Sequence, residues 1–209
     1  MIYGGNAFKM KIILASGSPR RKEILKRLGY EFEIIKAENE EITDKIKPCE
    51  VVEELSYNKA IEVKEKVIRL INSKNAEDDY CIIAADTVVA VDNQILGKPS
   101  DRNDAFNTIK LLQGRKHQVY TGVTIINLSS NKVVIFSDKT DVYVKKMSDS
   151  EIWDYVECGE CDDKAGSYAI QGVFSKYIER YEGDYDNVVG LPAKKVDEAL
   201  KNIQNVSVV

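Results

Sequence analysis

Apolar and polar positions follow two different periods along this chain, and the period changes from one segment to the next. Short apolar runs rich in β-branched residues predict strands, whereas apolar positions three and four residues apart predict helices. In chain order the predicted elements are strand 11–15, helix 19–28, strand 31–36, helix 48–72, strand 80–91, a short segment 95–99, helix 101–112, an antiparallel pair of strands 117–127 and 132–147, helix 148–157, a strand-like segment 173–183 and a helix from 192 to about 203. Helices and strands are interleaved without a linker rich in proline, glycine or serine, so we expect a mixed α/β fold.

The composition is that of a soluble globular protein, with 44% hydrophobic and 31% charged residues in a chain of 209. The apolar runs are far shorter than the roughly 20 residues of a membrane-spanning helix. The opening segment lacks the pattern of a secretory signal, so we expect a cytoplasmic protein without a membrane partner. Residues 1–9 precede the first predicted strand, and we expect them to be an N-terminal extension or a tag remnant.

The formal net charge of −4 predicts no general attraction to nucleic acid or to anionic lipid. Any phosphate chemistry must therefore come from local clusters of basic residues. The four cysteines, in a chain without an export signal, are expected to be reduced thiols. Cys158 and Cys161 form a CxxC pair, but a structural zinc site needs four ligands and His117 is the one histidine in the sequence, so zinc is not the favoured interpretation.

The stretch SGSPRR joins the first predicted strand to the first predicted helix. Pro19 suits the first helical position and Ser18 suits the N-cap before it. The free N–H groups of a helix N-terminus attract anions, and a preceding glycine lets a ligand approach the backbone closely. The candidate anion-binding residues here are Ser16, Gly17, Ser18, Arg20 and Arg21. The alternative is a capped helix whose arginines pair with local acids, and the motif is not a P-loop.

Two further positions interrupt apolar patterns. Lys59 lies in the middle of the apolar stripe of helix 48–72, where a lysine must either extend to solvent or meet an anion. Asp86, followed by Thr87, interrupts the apolar strand 80–91. Because an unpaired carboxylate in such a strand costs much desolvation free energy, we interpret Asp86 as a site residue.

Other polar residues are informative only in combination. Lys98 lies between a glycine and a proline, which can direct its ammonium back toward the strand or simply form a surface turn. Glu40 and Glu41 follow the second strand in what is otherwise a solvated loop. Gln171 lies in a glycine-flanked loop, where its amide can contact either a nucleobase edge or loop backbone groups.

Together these motifs resemble the Maf family of nucleoside triphosphate pyrophosphatases. The matching stretches, from Lys11 to the last helix, are ILASGSPRRKEIL, YNKA, AADTVV, LGKP, LLQGRKHQVYTGV, DKAGSYAIQG and NVVGLP. The resemblance implies a curved mixed β-sheet flanked by helices, with two lobes around a central cleft, in a single domain 10–209. It also implies a homodimer as one state of assembly.

The resemblance further implies cleavage of the bond between the α- and β-phosphates, assisted by a divalent metal such as Mg²⁺ or Mn²⁺. Asp86 would accept the proton of the attacking water, and Glu41, Glu40 and Asp86 would face the metal. The triphosphate would be held by hydroxyls and cations, namely Ser16, Ser18, Arg20, Arg21, Lys59 and Lys98.

Three positions, Arg20, Thr87 and Gln171, resemble the branch of the family that takes dTTP and UTP, whereas the 7-methylguanosine triphosphate branch differs there. One departure is Cys161, which stands after Glu160 where the family usually has proline. Two alternatives remain: a nucleotide-binding regulator of septum formation without turnover, and a house-cleaning enzyme for modified purine triphosphates.

Overall fold

The computed structural model describes residues 10–74 and 79–204 of the chain. Residues 1–9, predicted to be an extension or a tag remnant, lie outside this range. The elements in chain order are β1 (Lys11–Leu14), α1 (Pro19–Arg27), β2 (Phe32–Ile34), α2 (Pro48–Lys74), β3 (Tyr80–Val91), β4 (Gln94–Leu96), α3 (Arg102–Leu112), β5 (Lys116–Asn127), β6 (Val133–Val144), α4 (Asp149–Glu157), β7 (Ile178–Glu182), α5 (Tyr185–Val189) and α6 (Ala193–Gln204).

The strands form one mixed sheet in the order β2-β1-β3-β5-β6-β7, with β4 added beside β3. β1 pairs in parallel with both β2 and β3, whereas the remaining neighbours pair antiparallel. Helix α2 packs on one face of the sheet, and helices α1, α3, α4 and α6 contribute to the core on the other. The predicted class, a mixed sheet flanked by helices, is confirmed. The two-lobe division and the single domain 10–209 stay predictions.

Element types agree with the sequence pattern in nearly every segment, and β3 has the predicted bounds. The strand-like segment 173–183 is divided: 173–177 is a 3-10 helix and 178–182 is β7. Helix α5 was not predicted, because five residues are too few to display a helical period. Among the described residues, no helix has both the length and the apolar character needed to cross a membrane.

Gly122 on β5 allows α2 to lie very close to the sheet. A Cβ at this position would come within 2.2 Å of the Val52 carbonyl oxygen and 2.7 Å of the Glu53 nitrogen, both backbone atoms of α2. Gly122 is the register partner of Asp86 on β3. The glycine thus brings α2 against the strand that carries the candidate catalytic carboxylate.

Candidate active site

The sheet exposes an edge of β3 at its middle. β1 ends at Leu14, opposite Ile83, and β4 begins to pair only at Val89. Between these points, within the described residues, β3 has a strand neighbour only on its β5 side, and Asp86 and Thr87 lie in this stretch of the strand. This stretch is therefore the place where the backbone and side chains of β3 are accessible to groups other than a strand.

Alternation along β3 directs adjacent residues to opposite faces of the sheet. Ile82 and Ala84 pack with α2, whereas Ile83 and Ala85 pack in the core on the other face. Asp86 follows the first set and contacts Lys59 of α2. Thr87 follows the second set and contacts Arg21 of α1.

Lys59 joins two carboxylates. Its Nζ lies 2.6 Å from Asp86 Oδ1 and 2.7 Å from Glu41 Oε1. The side chain of Asp86 is 9% exposed and that of Lys59 is 17% exposed, so this ion pair is largely removed from water. Of the two outcomes expected for a lysine on an apolar stripe, Lys59 meets anions, and these anions belong to the protein.

Glu41 is held in its charged form. Burial alone would raise the pKa of its carboxyl, but the hydrogen bond and charge of Lys59, together with the charges of Lys98 and Arg21, lower the pKa below its ordinary value. Lys98 is exposed at the mouth of the site. Three cations of the predicted set thus act on one carboxylate.

Arg21 crosses from α1 to three other segments of the chain. Its Nε donates to the carbonyl oxygen of Gly190 (2.8 Å), and its Nη1 donates to the carbonyl oxygen of Ala85 (2.8 Å) and to Ser16 Oγ (3.3 Å). Its Nη2 donates to Thr87 Oγ1 (3.1 Å). Since a guanidinium has five N–H groups, these four hydrogen bonds within the described residues account for all but one of them.

The bond from Arg21 to Ala85 continues the ladder of β1. Ala15 N, directly after β1, donates to the Ile83 carbonyl. The next carbonyl of β3 on this edge, that of Ala85, accepts from the guanidinium instead. Burial lowers the pKa of Arg21 below its ordinary value, and the charges of Asp86 and Glu41 oppose this lowering. The cation therefore substitutes for a strand partner at the open edge.

A chain of hydroxyl groups starts at Arg21 and ends at a backbone carbonyl. Thr121 Oγ1 donates to the Asn187 carbonyl (2.8 Å), so the 3.0 Å bond between Thr121 and Thr87 takes its hydrogen from Thr87. Thr87 Oγ1 in turn accepts from Arg21. The hydrogen of Thr87 is thus already donated within the protein.

The N-terminus of α1 has the predicted start with one difference. Ser18 is the N-cap and Pro19 the first helical residue, but the Ser18 side chain makes no capping hydrogen bond. Instead, Ser16 Oγ accepts from Ser18 N at 3.2 Å. Arg20 is the second residue of α1. Burial lowers the pKa of its guanidinium below the ordinary value, and the charge of Glu160 opposes this lowering.

These residues surround one cavity of about 530 Å³, within the size range of small-molecule sites. The predicted site residues that line it are Ser18, Arg20, Arg21, Glu41, Lys59, Asp86, Thr87 and Lys98. Apolar residues of β3, β4 and the 165–170 loop, such as Val89, Leu96 and Ile170, cover another part of the wall. The cavity thus combines a charged region with an apolar region.

Four predicted residues, Ser16, Gly17, Glu40 and Gln171, are not part of the wall. Ser16 is buried behind it against Arg21, and Glu40 is exposed beside Glu41. Gln171 is exposed next to the lining residue Ile170 and hydrogen-bonds Tyr185.

The sequence reasoning missed several residues of this region. Asp163, Lys164 and Gly190 line the cavity. Lys164 contacts Asp163, and its pKa is lowered by burial and by the charge of Arg20. The quoted motifs DKAG and NVVGLP contained Lys164 and Gly190, so the signal was present without an assigned role.

A cavity with an anion-attracting helix start, several cations and two carboxylates joined by a lysine defines a class of site for phosphorylated ligands. The sequence profile of the family described as Maf-like protein matches residues 11–203. The chain belongs to the Maf family.

Curated relatives match almost the whole chain. A dTTP/UTP pyrophosphatase of a Thermoanaerobacter species is 46% identical over 192 residues, covering 92% of this chain and 96% of the relative. The dTTP/UTP pyrophosphatase of Caldanaerobacter subterraneus is 45% identical over 192 residues, covering 92% and 88%. That of Agathobacter rectalis is 46% identical over 200 residues, covering 92% and 97%. A solved HAM1 protein from Coxiella burnetii aligns with a TM-score of 0.49 at 12% identity, covering 93% of this chain and 100% of that chain.

Proposed function

We propose that this protein hydrolyses the bond between the α- and β-phosphates of dTTP and UTP, releasing the nucleoside monophosphate and pyrophosphate. The observation that carries the proposal is the cluster in which Lys59 joins the carboxylates of Glu41 and Asp86 at the wall of a cavity that is also lined by cations. Curated relatives at about 45% identity over 92% of the chain are named for this activity. No observation favours a regulator without turnover.

Asp86 is the proposed general base. Water attacks the α-phosphorus, its proton passes to the Asp86 carboxylate, and the bond from the α-phosphorus to the bridging oxygen breaks. Oδ1 of Asp86 is hydrogen-bonded to Lys59, so we assign the acceptance of the proton to Oδ2. The ammonium fixes the orientation of the carboxylate before the reaction.

The cations are proposed to hold the triphosphate and to stabilise the charge of the leaving pyrophosphate. Arg20, Lys98 and Lys164 line the cavity, and we assign direct phosphate contact to them together with the N-terminus of α1. Arg21 contributes its charge and its remaining N–H, because its other N–H groups bind the protein. This assignment extends the predicted set by Lys164.

A divalent cation, Mg²⁺ or Mn²⁺, belongs to the proposal. Mg²⁺ is typically bound in proteins by one or two carboxylates together with substrate phosphates. The carboxylates of Glu41 and Asp86, both within 3 Å of the same ammonium, fit that requirement, and Glu40 lies beside them. Within the described part of the chain no group of three or more metal-ligating side chains occurs, so the remaining ligands would be phosphate oxygens and water. The cation would neutralise phosphate charge when bound.

Base selection is proposed to involve Arg20, Thr87 and Gln171. The hydroxyl hydrogen of Thr87 is donated to Thr121, so we assign Thr87 an indirect part, through the orientation of Arg21. Gln171 would act on the base more directly, whereas Arg20, which is assigned to phosphate contact, would act through the orientation of the bound nucleotide.

The reaction in water enriched in ¹⁸O tests the bond and the position of attack. Purified protein with Mg²⁺ or Mn²⁺ is given UTP, dTTP, 7-methylguanosine triphosphate and inosine triphosphate separately, and products are resolved by mass spectrometry. We expect pyrophosphate together with UMP or dTMP that contains ¹⁸O. Label in pyrophosphate would place the attack at the β-phosphorus, and UDP with phosphate would contradict the proposal. Turnover of inosine triphosphate without UTP turnover would favour the modified-purine alternative.

Asp86→Asn tests the general base. Since a positioned base contributes about 10²–10⁴-fold, we expect kcat for UTP to fall by at least about 100-fold, with a smaller change in KM. Asp92→Asn is the matched control, because Asp92 follows β3 and pairs with Arg115 at an exposed position. Full activity of Asp86→Asn would contradict the assignment.

The state of assembly and the cellular location are also proposals. We propose a cytoplasmic homodimer, as the resemblance to the family implies, acting on free nucleotides without a nucleic-acid or membrane partner. Light scattering coupled to size-exclusion chromatography distinguishes a dimer from the 23.6 kDa monomer. A single species of monomer mass at micromolar concentration would contradict the dimer.

A further inference from the structure

The loop that carries Gln171 is fixed at both ends. On one side, Tyr168 and Ile170 are buried and line the cavity. On the other side, the ring of Phe174 is fully buried, with its centroid 4.8 Å from that of Tyr168 and 4.9 Å from that of Tyr155. Between these anchors the backbone turns at residues 171–173, which are exposed.

The carboxylate of Glu160 binds the backbone of this turn. Oε1 accepts from Val173 N at 3.0 Å, and Oε2 accepts from Phe174 N at 3.3 Å. Gly172 has a φ of 120°, which non-glycine residues rarely adopt. A Cβ there would lie 1.8 Å from Oε1 of Glu160. Both oxygens of the carboxylate are thus matched to a turn that only glycine allows.

Glu160 also acts electrostatically on two cations that line the cavity. Its charge raises the pKa of Arg20 and of Lys164, against the larger lowering by burial. Cys161, which stands where the family usually has proline, is fully buried. The chain therefore keeps Glu160 at this position without the proline.

We propose that Glu160 is a positioning residue for base selection, which holds the Gln171 turn through the backbone N–H groups of Val173 and Phe174. This inference rests on the proposed function, since it concerns the nucleotide base. Glu160 binds this turn, whereas the carboxylates of Glu41 and Asp86 are bound by Lys59. Loss of Glu160 should therefore change the choice of base more than the grip on phosphate.

The test uses Glu160→Gln, whose amide has one acceptor oxygen for two N–H donors. Binding of the α,β-methylene analogues of UTP and CTP, which differ at the base edge, is measured by calorimetry with Mg²⁺, and pyrophosphate is measured in the same way. Because the loss of one hydrogen bond to a charged acceptor costs about as much as a tenfold change in equilibrium, we expect the UTP-to-CTP preference to fall about tenfold. The dissociation constant of pyrophosphate should not rise, because the substitution removes a negative charge near the phosphate-contacting cations Arg20 and Lys164.

Amide hydrogen exchange gives a readout independent of turnover. The amides of Val173 and Phe174 should lose protection in Glu160→Gln and also in Gly172→Ala, which disturbs the same contact from the other side. The second variant keeps the proposal testable if the first does not fold. Glu157→Gln is the control, since its side chain is 67% exposed and pairs only with Arg102 in the described chain.

Three results would overturn the proposal. The first is a folded variant whose Val173 and Phe174 amides have lost protection while its UTP-to-CTP preference is unchanged. The others are a variant that binds both analogues and pyrophosphate more weakly by the same factor, and a wild-type protein that binds the two analogues equally well. A wild type that prefers the UTP analogue without hydrolysing UTP would instead refute the proposed function. In that case the analogue ratio still decides the role of Glu160.

Discussion

Replacing Arg21 by lysine separates two roles that the sequence could not distinguish. Lysine keeps the positive charge but replaces a planar fork of five N–H groups by one ammonium. The arginine binds the carbonyl oxygens of Gly190 and Ala85 and the hydroxyls of Ser16 and Thr87. If these bonds are its main contribution, the substitution should lower stability even in the absence of nucleotide.

The size of the effect follows from the two carbonyl groups. A buried acceptor left without a donor costs about 1–3 kcal/mol, and the lysine ammonium can reach one of the two. The expected loss is therefore about 1–3 kcal/mol in the free energy of unfolding. For a chain of 209 residues, each kcal/mol corresponds to about 2–4 °C in Tm, so Tm should fall by roughly 2–12 °C.

Differential scanning calorimetry of the ligand-free protein measures this change, with Arg20→Lys as the matched control. Arg20 lies one residue away at the cavity wall, and its substitution should weaken nucleotide binding while Tm changes by less than about 2 °C. The reasoning would be refuted by Arg21→Lys melting with the wild type while its affinity for pyrophosphate falls. Arg21 would then be a phosphate ligand and not a brace between segments.

Three further predictions concern groups around the site. Lys59→Met removes the ammonium that lowers the pKa of Glu41. Because the pKa of Glu41 then rises, the acid limb of kcat/KM should move to higher pH in a pH–rate profile. An unmoved acid limb would contradict this electrostatic effect of Lys59 on Glu41. Gly122→Ala would place a methyl group within 2.2 Å of the α2 backbone, and urea titration should give a loss of about 1–3 kcal/mol, whereas Gly97→Ala, with nothing within 4 Å of the added Cβ, should be nearly neutral. Burial lowers the pKa of His117 to about 4, whereas the same group in the unfolded chain has a pKa near 6.5. Because the unfolded chain therefore takes up the proton first as the pH falls, about 3 kcal/mol of stability should be lost between pH 6.5 and 4. In His117→Gln the dependence of the unfolding free energy on pH should be flatter over this range.

Residues that break a period were predictable, because the period supplies the expectation that they violate. Lys59 on an apolar helical stripe and Asp86 in an apolar strand are of this kind, and the structure brings them together. The pattern could not say that the anion facing Lys59 is a pair of carboxylates, since Glu41 lies in a loop without periodicity.

Contacts with backbone atoms were beyond the reach of the sequence. The bond from Arg21 to the Gly190 carbonyl spans 169 positions, and a carbonyl group has no residue signature. Lys164 was missed for another reason: it follows two aspartates, and such a run of charges is typical of a solvated loop. Three-dimensional proximity to Arg20 gives it significance.

The neighbours Asp86 and Thr87 make activity a sensor of strand pairing. In the native alignment, Asp86 lies opposite Gly122 and Thr87 opposite Thr121. A slip of β3 by one position would exchange the faces, turning the Asp86 carboxylate to the α1 side of the sheet and the Thr87 hydroxyl to the α2 side. Such a chain could still be compact and rich in β-structure, yet it would lack the pairing of carboxylate and ammonium. Recovery of turnover after refolding therefore measures how many molecules have chosen the native alignment, which a spectroscopic measure of β-structure does not distinguish.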